Sequence, residues 1–117
     1  IRQLIKACQS LAKDYRQKIP EKTVNLPYFS ESIQIISEII PRQAFFSPSK
    51  MVTAEKAIGE LSAELICPYP PGIPVFMPGE KITGEAFTYL KQLQTAGAMI
   101  TGASDFQLNY LKVLELE

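Results

Sequence analysis

Residues 68–80 read PYPPGIPVFMPGE, and this proline-rich stretch limits the folds that the chain can adopt. Five of the nine prolines of the chain lie within it. Because proline fixes φ and lacks a backbone N–H, no helix passes through the stretch, and the backbone is predicted to be extended, turned and rigid. Gly72 directly follows two of these prolines, and we predict that it takes a positive φ in a turn.

The residues before this stretch predict a short helix followed by a strand. Thr53 is a suitable N-cap for a helix over residues 54–58, and Gly59 is the residue type that ends helices. Polar and apolar residues alternate throughout residues 60–65, which predicts a strand over residues 60–67 with Glu64 on its polar face. The alternative is a helix that continues through Gly59, but glycine is unfavourable inside helices, so we favour the strand.

The residues after the stretch predict a second helix and a β-hairpin. Thr83 is a suitable N-cap for an amphipathic helix that Gly97 ends. Residues 98–101 are apolar, residues 102–105 have turn composition, and residues 106–110 alternate between apolar and polar. This order predicts a hairpin, with a bulge or bend near its end, where the alternation slips.

The N-terminal part of the chain predicts an amphipathic helix, a linker and a short helical turn. Apolar residues recur with helical spacing over residues 1–18, whereas residues 20–32 carry two prolines and no sustained period. Residues 33–40 are rich in isoleucine and predict a short strand, and Pro41 suits the first turn of the helix that follows. We divide the chain into an N-terminal helix at residues 1–19, a linker at residues 20–40, and an α+β domain at residues 41–117.

Composition excludes several functional classes. The chain has 117 residues, of which 46% are hydrophobic and 21% are charged, as in ordinary globular domains. Its formal net charge is zero, which argues against nucleic acid as a partner. With no histidine and two cysteines, the chain cannot form a Ser-His pair, and it has too few ligands of these types for a metal site. We expect no membrane contact and a cytoplasmic location, because no signal or spanning segment is visible.

The titratable residues around the proline-rich stretch are the candidates for chemistry. Glu64 and Glu80 bracket it, and two carboxylates at a rigid bend can act as acid and base or bind a cation. The alternative is that both are solvated surface carboxylates. Cys67 has no basic neighbour in sequence, and we interpret it as a small buried hydrophobic residue rather than a reactive thiol.

Residues 55–80, EKAIGELSAELICPYPPGIPVFMPGE, resemble the C-terminal domain of the bacterial and plastid type ornithine/lysine/arginine decarboxylases. Residues 41–46, PRQAFF, are similar to the segment that leads into that domain in the same family. The resemblance covers residues 40–85 in detail and the rest of the chain in outline. Glu60 stands where the family usually has arginine.

The resemblance implies a parent enzyme of the aspartate-aminotransferase fold that uses pyridoxal phosphate and acts on a basic amino acid. The family's cofactor-binding lysine, histidine and aspartate belong to its large domain, so this chain alone is expected to bind no cofactor and to catalyse nothing. Its implied partners are the remaining domains and a second subunit of a homo-oligomer. Residues 1–18 would be the closing helix of the preceding small domain, and we expect the chain to be part of a longer protein.

The functional hypotheses that follow concern the pocket and the partner. Glu64, Tyr69 and Gly72 are predicted to be adjacent to the substrate, as a rigid wall of a pocket for cationic amino acids. The alternative is that these residues only brace the domain against the rest of the enzyme. A hypothesis of a different class is a stand-alone interaction or oligomerisation module, which binds a partner through the N-terminal helix and the proline-rich stretch.

Overall fold

The computed structural model describes residues 1–16, 27 and 33–116, and it has the α+β architecture that the sequence predicts. Short helices and short antiparallel strands alternate along the chain. In chain order the elements are α1 (Arg2–Arg16), α2 (Pro41–Phe46), β1 (Ser49–Thr53), α3 (Ala54–Ala57), β2 (Cys67–Tyr69), α4 (Gly84–Thr95), β3 (Met99–Thr101) and β4 (Tyr110–Leu114).

The strands form two antiparallel pairs, each joining segments that are distant in sequence. β1 pairs with β4, with Thr53 opposite Tyr110 at one end of the register. β2 pairs with β3, with Tyr69 opposite Met99. The proline-rich stretch is thereby fixed at its start by a strand pair, and the peptide bonds before Pro70 and Pro71 are cis.

One apolar core lies between α4 and the strand pairs. Leu90 and Leu93 of α4 are inward-facing and buried, as the helical spacing predicts. The largest fully buried side chains also include Ile66, Phe76, Ile82, Leu108, Leu111 and Val113. Burial of these side chains is the main favourable contribution to folding.

The predicted helix boundaries after residue 40 are confirmed. The hydroxyl of Thr83 accepts a hydrogen bond from the N–H of Ala86 at 3.3 Å, and Gly97 follows α4 with φ +99°. Gly59 ends the helical region of α3 with φ +95°, a conformation that favours glycine. Thr53 occupies the N-cap position of α3, but its side chain makes no capping hydrogen bond there.

The strand predicted over residues 60–67 is wrong for most of its length. Only isolated bridges occur at Leu61, Ser62 and Ile66, and the regular strand begins at Cys67. The expected alternation fails too, because Ser62 is fully buried while Leu65 is 43% exposed. The hydroxyl of Ser62 donates to the carbonyl of residue 64 at 2.8 Å, so a local side-chain bond replaces a ladder bond in this segment.

The predicted β-hairpin is also wrong. β3 pairs with β2 instead of with the residues that follow it, and the alternating residues 106–109 form turns. Leu108 is fully buried with φ +56°, whereas Phe106 is 63% exposed. The segment folds around the Asp105 carboxylate, and β4 starts at Tyr110, where the alternation had suggested a bulge or bend.

Residues 33–40 lead into the domain without forming a regular strand, which corrects the prediction made for them. Ser37 bridges Glu80, and the N–H of Glu38 donates to the carbonyl of Gly79 at 3.1 Å. A Cβ on Gly79 would clash with the carbonyl of Ile39, so glycine is required for this close approach. The segment is therefore held against the turn that ends the proline-rich stretch.

The predicted N-terminal helix is confirmed as α1, and all of its described residues are exposed. The predicted linker falls mainly on residues 17–26 and 28–32, which lie outside the described part of the chain. The division into three segments stays a prediction. Among the described residues, no helix is long and apolar enough to cross a membrane.

Candidate functional site

Glu64 is buried and bonded to backbone rather than solvated. Its side chain is 6% exposed. One carboxylate oxygen accepts the N–H of Ser104 at 2.7 Å, and the other accepts the N–H of Lys112 at 3.0 Å. These bonds join the irregular segment after α3 to the loop after β3 and to β4. The polar-face interpretation of Glu64 is wrong because the segment is not a regular strand, and its geometry suits a brace.

Tyr69 and Gly72 form the exposed tip of the proline-rich stretch. The Tyr69 side chain is 63% exposed, and Gly72 has the predicted positive φ of +86°. The N–H of Gly72 donates to the carbonyl of Pro68 at 2.9 Å, which closes the turn. A Cβ on Gly72 would lie 3.4 Å from the Tyr69 ring. Tyr69 and Gly72 are thus brought together, whereas the Glu64 carboxylate bonds to a different part of the fold.

An apolar cavity of about 320 Å³ lies beside this tip. A cationic amino acid would need carboxylates or carbonyls aimed into such a cavity, and no carboxylate is among the described residues of its lining. The cavity therefore suits an apolar side chain of a partner better than a charged substrate. It is lined by Ile35, Pro68, Pro71, Ile73, Pro74, Val75 and Tyr89.

A second cavity, of about 410 Å³, lies between α3, α4 and the start of β4, where no sequence pattern indicated a site. Glu55 and Lys91 are its charged lining residues. The Lys91 ammonium group donates to the carbonyl of Gln107 at 2.8 Å and to the side-chain oxygen of Gln94 at 3.2 Å. Its donors are thus used to fasten the loop after β3 to α4.

Asp105 organises that loop, for which the sequence predicted only a turn at residues 102–105. Its carboxylate accepts the N–H groups of Gln107, Asn109 and Tyr110 at 2.8 to 3.0 Å. These backbone bonds, first those from Gln107 and Tyr110, lower the pKa of Asp105 below its ordinary value of 3.8. The bond from the Gln107 N–H to the carboxylate two residues earlier forms an Asx turn, and the aspartate in the turn-type residues 102–105 was the sequence signal for it.

The other titratable candidates do not form a catalytic cluster. Glu80 accepts the N–H of Met77 at 2.9 Å, within its own turn. Cys67 is partly buried, and Cys8 is exposed on α1. Within the described residues, no group of three or more Cys, Asp or Glu side chains is placed to hold a metal ion.

The comparisons with known proteins agree on one family. The family model described as Orn/Lys/Arg decarboxylase, C-terminal domain, matches residues 38–107. An arginine decarboxylase from Bacillus anthracis is 34% identical over 112 residues, which cover 96% of this chain and 22% of that protein. An arginine decarboxylase from Bacillus subtilis is 37% identical over 75 residues, covering 64% of this chain and 15% of that protein.

Solved structures with the same fold are much longer than this chain. The constitutive lysine decarboxylase of Escherichia coli superposes with a TM-score of 0.59 at 30% identity, over 72% of this chain and 14% of that one. The lysine decarboxylase of Francisella novicida superposes with a TM-score of 0.57 at 33% identity, over 71% of this chain and 14% of that one. The chain therefore spans between a seventh and about a fifth of these relatives.

Proposed function

The chain belongs to the family of Orn/Lys/Arg decarboxylase C-terminal domains. We therefore propose that it is the non-catalytic C-terminal domain of a pyridoxal-phosphate-dependent decarboxylase. Its role is to contribute to the assembly of the parent enzyme. The substrate class that we propose for the parent is a basic amino acid, in line with the arginine and lysine decarboxylases that this chain resembles. We also propose a homo-oligomeric parent in the cytoplasm, where its two free thiols would stay reduced.

The assembly role is supported by an exposed apolar surface that lies on rigid backbone. We call Tyr69, Ile73 and Met99 the proline surface; their side chains are 63%, 66% and 67% exposed. Tyr69 and Met99 are opposite each other in the β2–β3 pair, and Ile73 follows the turn at Gly72. Exposed aromatic and aliphatic side chains on a fixed scaffold are typical of protein interfaces.

The described residues do not suit pyridoxal phosphate, which acts as an electron sink on its lysine adduct when bound. Lys91 lines a cavity, but two of the three donors of its ammonium group are bonded to Gln94 and Gln107. Glu55 in the same lining would repel the cofactor phosphate. We therefore propose that the parent's cofactor is held by residues outside this chain.

For the predicted substrate-adjacent residues we propose two different roles. Glu64 acts as a brace, because both of its carboxylate oxygens already accept backbone N–H groups. Tyr69 and Gly72 lie at the exposed tip and are available to another surface of the parent enzyme. That surface is either an interface or the rim of the substrate pocket, and the apolar character of the neighbouring cavity favours the interface.

The test uses the full-length enzyme with Tyr69→Ser, and Tyr110→Ser as the matched control because Tyr110 is 51% exposed elsewhere on the domain. Light scattering gives the assembled mass, and kinetics with arginine, lysine and ornithine give KM and kcat. We expect Tyr69→Ser to lower the assembled mass at limiting protein concentration, with KM unchanged. A higher KM at unchanged mass would assign Tyr69 to the pocket wall instead. No effect on either quantity would contradict a role for the proline surface.

A second candidate function is that of a stand-alone interaction module. The exposed apolar face of α1 supports it. Leu4, Leu11 and Tyr15 on its apolar face are 60 to 68% exposed, and no residue of α1 is buried. A helix with one apolar face gains stability when that face is covered. Light scattering of this chain over a range of concentrations separates the candidates, because a module that associates through α1 increases in mass with concentration. A mass that stays monomeric at every concentration contradicts an oligomerisation module, and a pull-down with this chain that captures no partner contradicts an interaction module.

A further inference from the structure

A second apolar surface lies on α2, away from the proline surface. Phe45 and Phe46 are 73% and 76% exposed, and their rings meet edge to face at 5.2 Å and 87°. Ile40 is 65% exposed and shares with Phe46 the lining of a surface cavity of about 360 Å³. We call Ile40, Phe45 and Phe46 the aromatic patch.

The backbone under the aromatic patch is fixed by the core. Ala44 is 2% exposed and clusters with Leu61 and Leu114. A Cβ placed on Gly79 would lie 3.3 Å from the Cβ of Ala44, which shows how closely that turn packs on α2. The hydroxyl of Ser47 donates to the carbonyl of Gln43 at 2.8 Å and closes the end of the helix. Phe45 and Phe46 therefore project from a pre-organised turn, so docking them orders little additional backbone.

We propose that the aromatic patch docks into an apolar cleft, bordered by a carboxylate, on the part of the parent decarboxylase that lies outside this chain. This inference rests on the proposed function. The chain covers 22% of its Bacillus anthracis relative, so nearly four-fifths of that relative's length is available to supply the cleft. Arg42 is exposed beside the patch and has no ion pair among the described residues, and it would face the carboxylate.

The size of the patch favours a partner within the same polypeptide over a second free copy. Its three side chains expose roughly 400 Å². A stable interface between separate proteins buries about 800 Å² on each partner, about twice that area. A tethered partner needs less area, because the linker keeps the effective concentration in the millimolar range.

The experiment is hydrogen exchange by mass spectrometry on the full-length enzyme, with Phe45→Ser/Phe46→Ser compared with Phe106→Ser. Phe106 is a matched control because it is 63% exposed in the loop around Asp105. We expect exchange of residues 41–47 to be at least tenfold faster in the double variant and unchanged in the control. In the full-length enzyme, Arg42→Ala should accelerate hydrogen exchange of residues 41–47 severalfold.

Two further measurements separate docking from local unfolding. Exchange of residues 86–93 in α4 should stay slow in the double variant, which shows that the domain remains folded. In this chain by itself, the same two substitutions should leave exchange at residues 41–47 within about twofold, because nothing covers the patch there. An equal acceleration in both contexts would overturn the inference.

The outcomes also distinguish this inference from the proposed function. If exchange at residues 41–47 in the full-length enzyme does not respond while Tyr69→Ser still lowers the assembled mass, the aromatic patch is not a docking surface and the assembly role stands. If neither set of variants has an effect, both proposals are contradicted. A response at residues 41–47 alone supports the aromatic patch and removes the proline surface from the assembly role.

Discussion

Glu64→Gln should destabilise this domain strongly, although the substitution changes few atoms. In the native structure both carboxylate oxygens accept backbone N–H groups, from Ser104 at 2.7 Å and from Lys112 at 3.0 Å. Glutamine has one acceptor oxygen and one NH₂ group, so whichever way it is oriented, a donor faces a backbone donor. One partly buried N–H then loses its partner, and the other exchanges a charged acceptor for a neutral one.

The magnitude follows from those two changes. A hydrogen bond to a charged group contributes about 1.5 to 3 kcal/mol, and an unsatisfied buried donor costs about 1 to 3 kcal/mol. Because Glu64 itself is 6% exposed, water has little access to its side-chain end of these bonds. We expect a decrease of about 2 to 4 kcal/mol in the free energy of unfolding, which is a large part of the 5 to 15 kcal/mol typical of single domains.

The assay is urea unfolding of this chain followed by far-ultraviolet circular dichroism. With a urea dependence of about 1 to 2 kcal/mol per molar, the midpoint should fall by about 1 to 4 M. Glu60→Gln is the matched control, because Glu60 is an exposed glutamate four residues earlier, and its midpoint should not move. Hydrogen exchange should accelerate at the amides of residues 104 and 112. A Glu64→Gln midpoint equal to that of the control would refute the brace.

The other predictions concern one turn, one loop and the cofactor. Gly72→Val should cost about 1 to 3 kcal/mol, because Gly72 has φ +86° and a β-branched residue resists that conformation, while Gly84→Ala, at ordinary φ, should be tolerated; equal thermal unfolding of the two variants would contradict this. The pKa of Asp105 lies below its ordinary value of 3.8, so its charged form stabilises the fold above about pH 4, and that contribution is lost as the pH falls through the lowered pKa. Asp105→Asn should therefore lower stability at pH 7 and flatten the loss of stability below about pH 4, and a curve parallel to that of the unchanged chain would argue against this role. Incubation with pyridoxal phosphate followed by borohydride reduction and mass spectrometry should label no single lysine of this chain stoichiometrically, and full labelling of one lysine would show that the chain holds a cofactor site.

The features that the sequence predicted correctly depend on interactions within a few residues. Pro41 at the start of α2, Thr83 at the cap of α4 and Gly97 after it act through their own backbone geometry. The positive φ of Gly72 belongs to the same class. Such signals do not depend on the rest of the fold, and the structure confirms each of them.

The strand pairs could not be predicted in this way because they join distant segments. The predicted hairpin placed residues 98–101 against residues 106–110, whereas β3 pairs with Cys67–Tyr69. Local side-chain to backbone hydrogen bonds around Asp105 and at Ser62 hold both alternating segments in irregular conformations, with only isolated bridges at Leu61 and Ser62. Polar and apolar alternation reports which side chains are buried only where the backbone is regular, and these segments are irregular.

The environment of Glu64 shows the same limit at the candidate site. A glutamate in an alternating run predicts a solvated face, and only the distant backbone of residues 104 and 112 makes burial favourable. Tyr69 and Gly72 lie together because the turn that joins them is local. Their relation to a substrate depends on residues outside this chain and stays a prediction.

Rigid backbone under both apolar surfaces is consistent with the assembly role that we propose for this domain. Ordering a flexible residue costs about 1 to 2 kcal/mol of conformational entropy. The backbone is already ordered in the folded domain, by prolines around Tyr69 and by the burial of Ala44 beside Phe45, so docking adds little of this cost. Each exposed ring can therefore give most of its burial energy to docking. A pocket wall for a cationic substrate would need convergent polar groups, but the cavity beside Tyr69 is lined mainly by prolines and aliphatic side chains. The same physical features that make these surfaces good interfaces make them poor sites for amino acid recognition.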